Sequence, residues 1–128
     1  MSEFFLNKEK LNKIKNSDDL YIAPFREDGK TYGTLTWIWS VIVNDELFVR
    51  AYNGKNSSWY SSAVKQKSGK IKAAEMEFEV NFEQVDINDS IQKLIDDAYK
   101  MKYSSSPYLT SMISVQARSA TVKIIKKN

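Results

Sequence analysis

TWIWSVIVNDELFVRAYNGKNSSWY, residues 36–60, joins an apolar strand pair to a polar, positively charged loop. Residues 32–43 are rich in β-branched and aromatic types and apolar on both faces: Trp37, Trp39, Val41 and Val43 on one, Ile38 and Ile42 on the other, with Leu35 opposing Tyr32. A strand of this kind must be covered on both sides. Asn44-Asp45 then makes a tight turn into residues 47–52, where Leu47, Val49 and Ala51 alternate with Phe48, Arg50 and Tyr52. The pattern predicts a β-hairpin.

Beyond the loop Asn53-Gly54-Lys55-Asn56, Ser57 or Ser58 can cap a short helix carrying Trp59, Tyr60, Ala63 and Val64, with Ser68-Gly69 as its stop. Residues 71–85 set Met76, Phe78, Val80 and Phe82 against Glu75, Glu77, Glu79, Asn81 and Glu83, which predicts one long or broken strand with a core face and a wet face. Asp89 followed by Gln92 has the form of a capping box, and Ile91, Leu94, Ile95, Ala98 and Tyr99 recur at helical spacing, predicting a helix over about 90–103. Ser104-Ser105-Ser106-Pro107 breaks it. A further short helix is expected over 108–114 and a last strand over 117–125.

Upstream, Phe4, Leu11 and Ile14 suggest an amphipathic helix within 2–15, ended by Asn16-Ser17-Asp18-Asp19. Residues 20–25 suit a strand, and Asp28-Gly29 supplies a positive-φ residue for a hairpin. Hairpins dominate, and helices do not alternate regularly with strands. The expected architecture is α+β, mainly β: a small, mostly antiparallel barrel with flanking helices, in a single domain spanning 1–128.

The chain of 128 residues contains no histidine and no cysteine. That removes Ser-His-Asp and Cys-His catalysis, ordinary zinc sites, thiol redox chemistry and haem ligation by histidine. Carboxylates, lysine, arginine, tyrosine, serine and threonine remain, so an enzyme built here would use paired acids or leave the hard chemistry to an organic cofactor. No apolar run approaches the roughly 20 residues of a membrane span, no secretory signal is visible at SEFFLNKEK, and a cysteine-free chain is expected in the cytoplasm. The net charge is +3, with lysines at Lys8, Lys10, Lys13 and Lys15 and again at Lys123, Lys126 and Lys127. Such ends attract nucleic acid nonspecifically, but solubility is their preferred reading.

Arg50, Tyr52, Asn53, Gly54, Lys55, Ser57 and Ser58 combine a guanidinium, an ammonium, hydroxyls and a helix start beside a glycine, the pieces of an anion site. A polar hairpin end followed by a serine-capped helix has the same composition, so a purely structural use stands beside it. Trp37, Trp39, Trp59 and Tyr60 can stack on a planar ligand or pack a core, with Trp59 the better ligand wall. The row Glu75, Glu77, Glu79 reads as a solvated strand face rather than an acid-base pair. Lys102 and Tyr103 either close over a ligand or partner or simply end a helix, where cations suit the dipole.

The stretch DLYIAPFREDGKTYGTLTWIWSVIVNDELFVRAYNGKNSSWYSSAVKQKSGKI, with AYKMKY and TVKII after it, resembles the bacterial proteins grouped as domain-of-unknown-function family 2255, over residues 19–125. Its recognisable pieces are Trp39, Val49-Arg50, Gly54, Trp59-Tyr60, Ala98-Tyr99 and Lys102-Tyr103. That family in turn looks like a branch of the FMN-binding split barrels, alongside pyridoxamine-phosphate oxidases and deazaflavin-dependent reductases. The resemblance implies a six-stranded antiparallel split barrel, a homodimer, and FMN or a deazaflavin as cofactor. It gives Arg50, Lys55, Ser57 and Ser58 the phosphate and Trp37, Trp39, Trp59 and Tyr60 the ring. The expected function is a flavin- or deazaflavin-binding oxidoreductase acting on a small organic substrate. The alternative is a cofactor-free, non-enzymatic module that binds a small ligand or a partner copy.

Overall fold

The computed structural model describes residues 8–16 and 20–126. Phe4, the residues 17–19 expected to stop the first helix, and Lys127 lie outside them. Helix α1 is Lys8–Lys15, and its Ile14 is buried in the core. Seven strands form a single sheet: β1 Tyr21–Pro24, β2 Thr36–Trp37, β3 Ser40–Val43, β4 Glu46–Arg50, β5 Ser68–Ala73, β6 Met76–Val85 and β7 Thr121–Lys126. Their order is β2-β1-β5-β6-β7-β4-β3, with every neighbouring pair antiparallel. The fold is α+β, mainly β, a curled half-barrel consistent with a split barrel, with seven strands in place of the expected six.

The extra strand arises because the expected run 32–43 breaks at Ile38-Trp39. Its first part, β2, pairs with β1 at one edge of the sheet, and its second, β3, pairs with β4 at the other. Laid flat, strands spaced about 4.8 Å apart would put these edges about 29 Å from each other. The step from Trp37 to Ser40 spans at most about 11 Å. The sheet must therefore curl until its edges meet. Backbone groups at this corner find partners off the ladder: Ile38 N–H donates to the Leu20 carbonyl at 3.0 Å, and the Tyr99 hydroxyl donates to the Trp39 carbonyl at 3.0 Å.

Three turns close the hairpins. Gly29 has φ 68°, and Asp28 accepts the N–H groups of Lys30 and Thr31. Asn44 and Asp45 lie at φ 52° and 63°, the pair of positive angles that matches strand twist. The run 71–85 splits because Ala74 and Glu75 take φ 50° and 65°. Neither residue type favours that conformation, so nothing in the sequence marks the turn. Glu75 sits in the turn instead of on the acidic row. Glu77 and Glu79 do face water, opposite Lys72 and Lys70 across the ladder, as a charge-balanced surface.

Helix α2, Ser58–Gln66, ends at Lys67 (φ 61°), one residue before the expected Ser68-Gly69 stop, and those two residues begin β5. Gly69 is required there for a different reason: a Cβ would lie 2.4 Å from the Ala23 carbonyl oxygen and 2.6 Å from Pro24 Cα. Gly69→Ala forces β1 and β5 apart and is expected to cost about 1–3 kcal/mol, measurable as a lower urea midpoint with unchanged slope.

Two apolar clusters cover the sheet. Inside the curl, Ile22, Leu47, Val49, Ile71, Val80 and Val122 pack with Trp59, Tyr60 and Ala63 of α2. Outside it, α3, Ile91–Lys102, brings Ile95 and Tyr99, with Tyr103 just past its end, onto Val41, Val43 and Phe48. The two-sided burial expected over 32–43 is thus real for β3 but not for the first half of the run, where Leu35 and Trp37 are exposed, and β4 divides Leu47 and Val49 from Phe48 and Arg50 as its alternation requires. Leu94, expected on the apolar stripe, is exposed. The capping box does not close: Asp89 accepts from Ile91 N–H, while the Gln92 side chain turns inward and is buried. The expected helix 108–114 shortens to α4, Leu109–Met112, and α5, Val115–Arg118, with Ser114 as its cap, occupies the start of the expected last strand.

Candidate functional site

Where β2, the corner, the end of β4 and the start of α2 meet, they enclose a cleft of about 620 Å³. Trp37, Trp39, Arg50, Ser57, Ser58 and Trp59 line it, with Tyr52, Asn53, Tyr108 and Met112. The sequence candidates therefore converge, with two exceptions. Lys55 is exposed on the 3-10 turn Gly54–Asn56, and Tyr60 is buried in the barrel interior, where its hydroxyl accepts from Gln84.

The rings divide differently from expectation. Trp59 is only 8% exposed and belongs mainly to the core, set edge-on to Tyr60, whereas Trp37 is 48% exposed. Trp39 is half-buried and stacks on Tyr103 at 4.0 Å between centroids, 3° from parallel. Tyr52 and Tyr108 meet edge to face at 6.1 Å. Tyr108 was absent from the sequence candidates: it is far along the chain from the loop, and no local pattern connects them.

Arg50 is the largest fully buried side chain. A guanidinium has five N–H groups, and here each meets a protein acceptor. Nε donates to Thr121 Oγ1 at 3.1 Å, Nη1 to Asp96 Oδ1 at 2.5 Å and the Met112 carbonyl at 3.1 Å, and Nη2 to Gln92 Oε1 at 2.7 Å and the Gln92 carbonyl at 3.3 Å. It also lies 5.5 Å from the centre of the Tyr99 ring. Burial pulls its pKa below the ordinary arginine value, and the bond it donates to Asp96 opposes that pull. The same burial drives the Tyr99 phenol well upward, so it stays protonated as the donor to Trp39. Arg50 is the hub of a structural network, with its own N–H groups all engaged within the protein. Sequence pattern does not mark Asp96, Arg118 and Thr121 as network residues, and it marks Gln92 only as a capping residue. The one available sign was a polar pair, Gln92 and Asp96, at i and i+4 beside the apolar stripe of a helix.

Ser57 precedes α2 without a side-chain capping bond, and Ser58 is exposed. With Asn53 and Thr36 they bring neutral polar groups to the cleft, beside the phenols of Tyr52 and Tyr108. No lysine and no carboxylate lines it among the described residues. The described residues also hold no cluster of potential metal ligands and no helix long and apolar enough to cross a membrane.

A family model described as an uncharacterized protein conserved in bacteria, DUF2255, matches residues 10–124. The chain belongs to that family. A crystal structure of a conserved hypothetical protein from Mycobacterium tuberculosis is similar in fold, with a TM-score of 0.61 at 12% identity over 99% of this chain and 83% of that one. No curated protein matches the chain. The residues that carry the family resemblance now have physical roles at one corner of the barrel. Tyr103 stacks on Trp39, Tyr99 bonds the Trp39 carbonyl, and Lys102 Nζ donates to the Ser40 carbonyl at 2.8 Å. Gly54, at φ 65°, leaves room for Gln116, which a Cβ would approach to 2.6 Å.

Proposed function

We propose that this protein is a split barrel that binds a flat aromatic small molecule in its cleft, the isoalloxazine of a flavin or the related ring of a deazaflavin being the class that the resemblance implies. The observation that supports this is the cleft wall, where Trp37, Trp39 and Trp59 gather with Tyr52 and Tyr108 around about 620 Å³. That volume suits a ligand of drug size, and indole and phenol rings favour offset or edge-on packing with another ring.

A bound flavin would supply hydride-transfer chemistry. The chain's own part is to hold and orient the ring against the aromatic wall and to offer Asn53, Ser57 and Ser58 to its polar edge. The ring fits these residues. A phosphate fits less well, because the Arg50 donors are engaged within the protein. The cleft brings hydroxyls but no carboxylate or amine for proton transfer among the described residues, so any redox reaction belongs to the ligand.

Titration of the intrinsic tryptophan fluorescence with riboflavin, FMN and a deazaflavin tests this. Quenching is expected with all three. A charge-assisted contact is worth about 1.5–3 kcal/mol, or roughly 10- to 100-fold in affinity, and its absence should leave FMN and riboflavin within about threefold of each other. No quenching by any ring up to about 100 μM removes the reading, and a tenfold or greater preference for FMN overturns the neutral-donor part.

A homodimer belongs to the same proposal. Trp37, Tyr52 and Tyr108 are 48%, 45% and 57% exposed at the cleft mouth, and a second copy seated there would cover them. Light scattering that gives a monomer mass at all accessible concentrations argues against it.

A further inference from the structure

The wall of the cleft that carries Tyr108 and Met112 is joined to the barrel by bonds to main-chain carbonyls, Gln92 Nε2 to the Arg118 carbonyl at 3.4 Å and Gln116 Nε2 to the Asn53 carbonyl at 3.1 Å, and by an ionic tie centred on one carboxylate. Asp96, on α3, accepts from Arg50 Nη1 through Oδ1 at 2.5 Å and from Arg118 Nη2 through Oδ2 at 2.6 Å. Each arginine also reaches the end of α4: Arg50 Nη1 donates to the Met112 carbonyl at 3.1 Å and Arg118 Nη2 to the Ile113 carbonyl at 3.3 Å. Asp96 thus ties together a residue of the barrel wall, Arg50, and a residue of the 108–118 segment, Arg118. The Arg118 Nε is buried without a hydrogen-bond partner. Among the described residues, the bond to Asp96 is the one that carries the Arg118 side chain out of its own segment.

The charge balance makes this tie one-sided. Two guanidiniums share one carboxylate whose side chain is 15% exposed. Remove the negative charge and two cations that were drawn to one point repel each other, in a setting where water screens them poorly. Arg50 is fixed in β4 by Thr121 and Gln92 as well. The shorter element, with fewer ties, is the segment made of two four-residue helices, α4 and α5.

We propose that Asp96 is a positioning residue for the cleft: through Arg50 and Arg118 it clasps residues 108–118 against the barrel and so sets the spacing between Tyr108, Met112 and the tryptophan wall. The inference rests on the ring-binding reading for its effect on affinity, but the clasp itself stands on the geometry alone.

Hydrogen exchange of the full chain, followed by mass spectrometry, separates the two. In Asp96→Asn, exchange over 108–118 is expected to rise about tenfold or more while the β5–β6 hairpin keeps its protection. The riboflavin dissociation constant should rise about tenfold in the same variant, and Gly69→Ala, destabilised away from the cleft, should retain the wild-type constant. Unchanged exchange over 108–118, or an equal rise along the whole chain, overturns the clasp. If Asp96→Asn does not fold, Arg118→Gln breaks the same tie from its more exposed side and must show the same local rise, or the proposal fails. If the wild-type protein binds no riboflavin, the ring reading falls, and the exchange result still decides the clasp.

Discussion

Arg50→Ala is expected to destabilise the protein by about 3–5 kcal/mol, the cost of breaking a buried ion pair from one side. The substitution strips Asp96 of one guanidinium, leaves the Gln92 side-chain oxygen without its shortest donor, and frees the Met112 carbonyl in the cleft wall. A drop in melting temperature of about 10 °C or more should accompany it. Arg50→Lys should recover little, because one ammonium cannot reach five acceptors arranged around a planar fork. A melting temperature within a degree or two of the wild type would mean that the network contributes nothing. A ligand-contact role would have given the opposite pattern, a stable protein with weakened binding.

Tyr103→Ala carries the second large effect, also about 3–5 kcal/mol by analogy with removal of other buried aromatic side chains. Tyr103 is 8% exposed, lies flat on Trp39, and exchanges hydrogen bonds with the backbone of Ser40 at 3.4 Å. Truncation removes the surface against which the Trp39 ring is held at the corner between β2 and β3. Tyr103→Phe keeps the stack and loses only the hydroxyl contacts, so its cost should stay near 1 kcal/mol. Urea unfolding of the two variants checks the ratio. Equal losses would place the energy in the hydroxyl and not in the ring.

These two substitutions bear on different parts of what could be read in advance. The two-sided burial of β3, the β3–β4 hairpin, the alternation of β6 and the helix α3 all follow from residue periodicity, because each pattern reports the face a residue must hide. The aromatic and serine residues of the cleft were also within reach, since a hairpin and the helix that follows it keep them together. The long or broken run 71–85 left the place of its break open, because Ala74 and Glu75 adopt a turn that their side chains do not announce. The charged network was equally hidden. In the sequence Arg50 reads as one piece of an anion site beside a glycine loop, and only the packing of α3, α4 and β7 onto β4 turns it to Gln92, Asp96, Met112 and Thr121.

By itself, then, the amino-acid sequence determined a β-rich domain with a strand buried on both faces, a chain without histidine or cysteine chemistry, and a concentration of rings beside a polar loop. These depend on composition and on neighbours within one or two elements. The tertiary structure alone decided that the central run breaks at Ile38-Trp39 so that the two edges of the sheet meet, and that Tyr108 and Met112 complete the cleft from the far end of the chain. It also decided that the donors of Arg50, at the cleft, are engaged within the protein itself. The physical reason is the same in each case: where a buried donor or acceptor finds its partner is settled by elements far apart in sequence, and local pattern carries no record of that choice.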